Sequence, residues 1–236
     1  MANILFDLYG TLIDIHTDEE KGSFWKAFSK RTFEYHPYKK EELKRKYFDY
    51  CIKLSNEVDE IDILDVFREL FHQDLDTTKL IASEFRRLST KYIRLYPGVK
   101  KLLSKLREDG HNIYLLSNAQ ESFTIPELNK FELVPYFDGI AISSMYGYKK
   151  PSSSFYYALI SKYNLGISNT IMIGNDYECD YKAAKSLGLK AIYIHSNLTP
   201  KDQPKLGLQG FNWKKVYDEI NNLLQKEVKK WELVLM

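Results

Sequence analysis

The stretch "NILFDLYGTLID", residues 3–14, runs an apolar segment into one aspartate, Asp7, and follows it with Leu8, Tyr9, Gly10 and Thr11. Continuous rather than alternating apolar character marks a strand buried on both faces, the form found in parallel sheets. Such a strand delivers Asp7 to its carboxyl end, where open α/β sheets keep their ligands. A tyrosine stands at position 9, where a second carboxylate would complete a catalytic pair.

Runs of the same character recur at "NIYLLSN" (112–118), "GIAISS" (139–144), "TIMIGN" (170–175) and "KAIYIHS" (190–196). Helical patterns separate them. "PGVKKLLSKLREDG" sets Val99, Leu102, Leu103 and Leu106 on one face, with Pro97 before its start and Gly110 after its end. Further helices are expected at 153–163, 178–187 and 213–229. Strands alternating with helices predict a doubly wound, Rossmann-like α/β domain around a parallel sheet.

Residues 15–91 break that rhythm, with amphipathic patterns and no convincing strand. Thr17-Asp18-Glu19-Glu20 has the form of a capping box, opening a helix that carries Phe24, Trp25 and Phe28. "EELKRKYFDYCIKL", "DILDVFRELF" and the segment Leu80 to Leu88 continue with helical spacing. The sequence thus predicts an α/β core of residues 1–14 and 92–236 and an inserted all-helical cap of residues 15–91. Phe24, Trp25, Phe28 and Phe33 are expected to pack the cap rather than line a pocket.

Lys+Arg 34 against Asp+Glu 32 leaves a formal charge of +2 over 236 residues. That balance lacks the clustered basicity of chains that track phosphate backbones and argues against nucleic acid as a partner. The mixed-sign runs "KKEELKRK" (39–46) and "KEVKK" (226–230) read as solvated helix faces. Cys51 and Cys179 cannot make a disulfide framework, and no Cys/His group has zinc-ligand spacing. No apolar run reaches membrane-spanning length, and the N-terminus lacks the basic start and cleavage site of a signal peptide. A soluble, cytoplasmic protein is expected. Its oligomeric state is open, since the apolar tail "WELVLM" (231–236) suits the core and a partner equally.

Four polar clusters fall at strand ends: Asp7 with Thr11, Ser117 with Asn118, Lys150 after the "GIAISS" run, and Asn175-Asp176 with Asp180. Taken singly, each is an ordinary turn, cap or surface residue. In a parallel sheet these ends share one edge, so together they define one crevice.

In order, "FDLYGTL", "LLSNAQ", "GYKKPSSSFY" and "IGNDYECDYKAAKSLG" resemble the four motifs of the haloacid dehalogenase-like hydrolase superfamily. The insert resembles the helical cap that many members carry between the first and second motifs. The resemblance implies that Asp7 is a nucleophile, attacking phosphorus or carbon to form an aspartyl intermediate that water hydrolyses. It assigns Lys150 to hold both anions, and Thr11, Ser117 and the backbone N–H of Asn118 to the phosphoryl oxygens. Mg²⁺ would be bound by Asp7, the backbone carbonyl of Tyr9 and a fourth-motif acid. Asp176 is the expected primary ligand with Asp180 behind it, although gap-free matching puts Asn175 where the usual metal aspartate falls.

Phosphatases of the superfamily carry a second aspartate two residues after the nucleophile, and general acid–base help of that kind is worth roughly 10² to 10⁴ in rate. Tyr9 replaces it here, and a phenol of pKa about 10 is a poor base at neutral pH. The D-x-Y-G-T form is similar to the 2-haloacid dehalogenases, where halide leaves without a proton and no metal is used. Those enzymes also use a cap arginine, for which Arg31 is the nearest candidate. The leading expectation is a Mg²⁺-dependent phosphatase of small phosphorylated metabolites. The alternatives are a metal-independent 2-haloacid dehalogenase acting on a halogenated substrate, and a weakly active or inactive binding member of the family.

Overall fold

The computed structural model describes the backbone of residues 1–234 and the side chains of residues 1–225. The expectations for the "KEVKK" face and the "WELVLM" tail therefore lie outside the described side chains. Six strands make a parallel sheet in the order β5-β4-β1-β6-β7-β8: β1 (Asn3–Phe6), β4 (Asn112–Ser117), β5 (Gly139–Ile142), β6 (Thr170–Gly174), β7 (Lys190–His195) and β8 (Leu208–Gln209). β1 lies between β4 and β6 in register, Phe6 opposite Leu115 on one side and Ile173 on the other. The chain therefore winds away from β1 in both directions, which makes its carboxyl end the place where the connections part.

Strand alternation divides the apolar residues between two faces. Ile4, Phe6, Ile113, Leu115, Ile171 and Ile173 share one cluster with Leu102, Leu103 and Leu106 of helix α5 (Val99–Glu108) and with Val216 and Ile220 of α10 (Trp213–Val234). Leu5, Tyr114, Leu116 and Met172 share the other with Phe155, Tyr156 and Leu159 of α8 (Ser153–Lys162). Burial on both faces accounts for the continuous apolar runs.

Helices α1 (Gly22–Arg31), α2 (Lys40–Ser55), α3 (Ile63–Phe71) and α4 (Leu75–Ser89) enclose a separate, aromatic cluster. Phe85 sits at its centre, with ring centroids 5.0 Å from Phe24, 5.2 Å from Phe28, 5.1 Å from Tyr47 and 5.2 Å from Phe67. Phe33 does not join it and is exposed. Asp62 and Asp74 cap α3 and α4, accepting from Leu64 N and Thr77 N at 2.9 Å each.

The expected capping box does not form. Thr17 ends strand β2 (Ile13–Thr17), α1 starts at Gly22 after Lys21 with no side-chain cap, and Asp18 instead pairs with Lys21 at 2.9 Å and Lys91 at 3.4 Å. β2 pairs antiparallel with β3 (Thr90–Leu95), Ile15 opposite Ile93, so a two-stranded ribbon carries the helices where the sequence suggested none. The two halves of the ribbon lie on opposite sides of the insert, and neither alone announces its pairing.

Helix α6 (Glu121–Lys130) was also not apparent in the sequence, because Pro126 sits inside it. The "GIAISS" run ends as a strand at Ile142 and turns into α7 (Ser143–Tyr146), where Ser143 Oγ accepts from Ala119 N at 2.9 Å and donates to Ala119 O at 3.0 Å. The helix expected at 178–187 begins as a wide π turn, Tyr177–Lys182, before α9 (Ala183–Ser186). Such turns favour functional sites, where they re-aim side chains.

Candidate active site

β1 hands Asp7 to the crevice while Asp7 N still bonds Ile173 O at 2.9 Å, so the backbone of the carboxylate is part of the sheet. Gly10 then turns the chain at a φ of 85°, and a Cβ there would lie 2.2 Å from the Asn175 amide. Glycine is needed at this position both for the turn and for that approach. Gly174 serves the fourth strand end likewise, since a Cβ on it would meet Asp180 Oδ2 at 2.1 Å.

Three of the expected residues converge on Asp7. Lys150 Nζ lies 2.8 Å from Asp7 Oδ1, Ser117 Oγ donates to the same oxygen at 3.2 Å, and Thr11 Oγ1 donates to Oδ2 at 3.2 Å. Lys150 is buried and also bonds Asp180 Oδ1 at 2.6 Å. Burial alone would lower its pKa, but the Asp180 and Asp7 carboxylates hold the ammonium well above its ordinary range. Burial pushes the Asp180 carboxyl upward, with Lys150 opposing. Two carboxylates around one ammonium leave the cluster with a surplus negative charge.

Asn118 has a positioning geometry. Its side chain clamps the main chain of Lys150 in both directions, Oδ1 accepting from Lys150 N at 2.7 Å and Nδ2 donating to Lys150 O at 2.8 Å. Asp176 departs from expectation more sharply. Its Oδ1 accepts from Glu178 N at 3.0 Å, Cys179 N at 2.9 Å and Gln203 Nε2 at 2.8 Å, so the carboxylate caps the π turn while still lining the cavity beside Asp7. Asp180 Oδ2 is likewise taken, by Asp176 N at 2.9 Å. Asn175 lies directly beside Asp7, its amide 3.3 Å from Asp7 Oδ2.

The Asn175 amide bears directly on a cation. One of its terminal positions lies 2.9 Å from the Tyr9 carbonyl oxygen, 3.3 Å from Asp7 Oδ2 and 3.3 Å from Thr11 Oγ1. With nitrogen there, the amide donates to all three. With oxygen there, it stands 2.9 Å from the Tyr9 carbonyl and 3.3 Å from Asp7 Oδ2, separations close to those between neighbouring ligands of a Mg²⁺ whose bonds are about 2.1 Å. The donor set Asp7, Tyr9 carbonyl and Asn175 Oδ1 therefore fits Mg²⁺ through oxygens, with one formal charge rather than two. Among the described residues no three His, Cys, Asp or Glu side chains gather as a metal site.

The Tyr9 side chain turns from the crevice. Its hydroxyl donates to Glu127 Oε2 and lies 3.2 Å from Thr124 Oγ1, both on α6. Burial, then the Glu127 charge, raises the phenol well above its ordinary value and keeps it protonated. Arg86 of cap helix α4 completes the group, with Nε 2.7 Å from Glu127 Oε1 and its guanidinium 5.5 Å from the Tyr9 ring centroid. Arg31, the expected cap arginine, is exposed and lies 3.8 Å from Glu84. Arg86 escaped the sequence reading because its partner Glu127 lies in the helix hidden by Pro126.

A second cap–core junction adjoins the Lys150 loop. Gln120 Oε1 accepts from Ile63 N at 2.7 Å, and its Nε2 donates to Ile61 O at 3.0 Å and Glu60 Oε1 at 3.1 Å. Lys149 reaches Glu60 at 3.3 Å. The space beside Asp7 is a cavity of about 190 Å³ that includes Lys150, Asn175 and Cys179 in its walls. A larger cleft of about 540 Å³ lies beyond Arg86 and Glu127, and Asp7 does not line it.

A buried carboxylate thus stands at the end of a central parallel strand, gripped by a lysine and two hydroxyls. A family model described as haloacid dehalogenase-like hydrolase matches residues 1–188, and the chain belongs to that family. It is 25% identical over 103 residues to a glyceraldehyde 3-phosphate phosphatase of Pyrococcus abyssi. That match covers 44% of this chain and 43% of the relative, so the chain spans less than half of the relative's length. In three dimensions it is similar to a HAD phosphatase from Thermococcus onnurineus, with a TM-score of 0.61 at 18% identity over 93% of this chain and 98% of that one. A dehalogenase structure gives 0.57 at 17% identity over 92% and 96%. Both likenesses express the shared fold.

Proposed function

We propose that the protein is a cytoplasmic, Mg²⁺-dependent phosphatase of small phosphorylated metabolites, working through an aspartyl phosphate on Asp7. The observation that carries the reading is the grip on Asp7: Lys150 Nζ at 2.8 Å with Ser117 and Thr11 at 3.2 Å each, at the carboxyl end of β1. The phosphatase names of curated relatives support phosphorus as the electrophile. Two free cysteines suit a reducing compartment, and no described helix is long and apolar enough to cross a membrane.

In this mechanism one oxygen of the Asp7 carboxylate attacks phosphorus while Lys150 and Ser117 orient the group. Thr11 and the Asn118 backbone N–H hold phosphoryl oxygens, and Lys150 offsets the charge that develops between nucleophile and phosphate. A phosphate dianion entering a cluster that is already negative needs further positive charge. Asp7, the Tyr9 carbonyl and Asn175 Oδ1 would hold the Mg²⁺ that supplies it.

A second reading has its own support. With its nitrogen inward, the Asn175 amide satisfies Asp7 Oδ2 and the Tyr9 carbonyl without any cation. That arrangement suits metal-independent attack of Asp7 on a carbon bearing halide. Assays of p-nitrophenyl phosphate with Mg²⁺ and with EDTA, beside halide release from 2-chloropropionate, separate the two. The proposal expects Mg²⁺-dependent phosphate release and a phosphorylated Asp7 peptide after acid quench. Halide release in EDTA with no phosphate release would replace it by the second reading. Asn175→Asp should tighten Mg²⁺ binding in calorimetry.

A further inference from the structure

The geometry points to a restricted substrate class: phosphate compounds whose leaving group departs without a proton, namely acyl phosphates, phosphoanhydrides and phosphates of acidic hydroxyls, rather than simple alkyl phosphates. The inference rests on the phosphatase reading above and concerns which bond that site can break.

Breaking a P–O bond to an alkyl group expels a strongly basic alkoxide unless an acid protonates it as it leaves. Among the described residues, the side chains around the cavity that could give a proton are drawn into other hydrogen bonds. Tyr9, two residues after Asp7, directs its hydroxyl to Glu127 Oε2 with the Arg86 guanidinium over its ring. Asp176 Oδ1 accepts three hydrogen bonds, which hold this carboxylate as the cap of the π turn. Asp180 lies beneath Lys150, bonded to Nζ and to Asp176 N. Lys150 is held between two carboxylates. Cys179 Sγ turns to Lys150 O at 3.6 Å, and the Ser117 and Thr11 hydroxyls point to Asp7.

The chemistry balances without an enzyme acid. The Asp7 oxygen forms a bond to phosphorus as the bond to the leaving oxygen breaks with its electron pair, and the leaving group departs as an anion. Water then attacks the phosphorus of the aspartyl phosphate, the Asp7 carboxylate is expelled, and the released phosphate keeps the proton lost by water. A leaving group that is stable as an anion makes the first step feasible, and a good carboxylate leaving group makes the second feasible. A dedicated base helps that second step less than it would an ordinary ester.

The test is a leaving-group series on the full chain with Mg²⁺: acetyl phosphate, p-nitrophenyl phosphate, phenyl phosphate and an alkyl phosphate, compared by kcat/KM. The expected result is a steep fall with leaving-group basicity, about 10²- to 10⁴-fold between p-nitrophenyl and alkyl phosphate, the size of the missing acid's contribution. Tyr9→Phe should leave the slope of the series unchanged, and Tyr9→Asp should flatten it. A flat wild-type series overturns the inference while leaving the phosphatase reading in place. So does a slope altered by Tyr9→Phe, which would make the phenol the acid. No turnover even of acetyl and p-nitrophenyl phosphate overturns both. If Tyr9→Asp fails to fold, the wild-type and Tyr9→Phe slopes still decide the question.

Discussion

The two interiors of this molecule are built from different materials. Beneath the sheet lie aliphatic side chains such as Ile4, Leu103, Leu115 and Ile173, while the cap is filled with rings: Phe24, Trp25, Phe28, Tyr47, Phe67 and Phe85. A flat sheet with helices laid over it is filled economically by branched aliphatics, and four short helices meeting at angles leave wider gaps that aromatic rings fill edge to face. The joints between the interiors are both polar and apolar: Arg86 with Glu127, Gln120 with the loop Glu60 to Ile63, and Phe123 of α6 stacked on Phe85 at 6.3 Å. Each body thus has most of its own core, and the cap's aromatic cluster reaches across the seam at Phe123.

The largest effect should come from the nucleophile. Asp7→Asn is expected to cut turnover by roughly 10⁴-fold while urea unfolding barely moves, because Lys150 keeps Asp180; a variant with substantial turnover would remove Asp7 from the chemistry. Next comes a direct attack on the cap interior. Phe85→Ala should cost about 3–5 kcal/mol and unfold the cap at lower urea than the core, read by Trp25 fluorescence against far-UV signal. A single shared transition would instead make cap and core one cooperative unit.

The seams come third. Glu127→Gln leaves the Arg86 charge half-buried without its counterion and should cost about 1–3 kcal/mol in denaturant unfolding. A change below that range would mean that the joint is solvated. Gln120→Ala should be smaller and local. Ile63 N sits in the first turn of α3, where the helix offers it no carbonyl, so its bond to Gln120 is its protection, whereas Leu64 N is held by Asp62 inside the cap. Amide exchange at Ile63 should quicken about tenfold with Leu64 unchanged; equal acceleration of both would point to loosening of α3 itself.

The smallest effect concerns the ribbon that carries the cap. Burial raises the Asp14 carboxyl, but hydrogen bonds from Asn197 and Arg94 outweigh it and hold Asp14 below its ordinary 3.8. A folded value below the unfolded one adds stability that is fully present above 3.8 and is lost as pH falls through the folded value. The stability gap between wild type and Asp14→Asn should therefore be constant toward neutral pH and shrink below 3.8. A gap independent of pH would assign it to packing.

Much of this architecture was legible in the chain. The apolar runs located five of the six sheet strands, and the strand-end logic brought Asp7, Thr11, Ser117 and Lys150 together as they stand in space. Legibility failed where the deciding partner is remote. The ribbon pairs Ile15 with Ile93 across the whole insert, and Arg86 acquires its meaning from a glutamate on a helix that Pro126 conceals.

What the sequence determined by itself was the alternation of the main sheet strands with helices and the placing of Asp7 and Lys150 at strand ends, because periodicity and position at strand ends are local properties. What only the tertiary structure decided was where the shared polar atoms go. Asp176 became a cap, Asn175 came to face Asp7, and the Tyr9 hydroxyl turned to Glu127. Each of those choices is a competition among donors and acceptors brought together only by the fold, and spacing along the chain carries no record of which one wins.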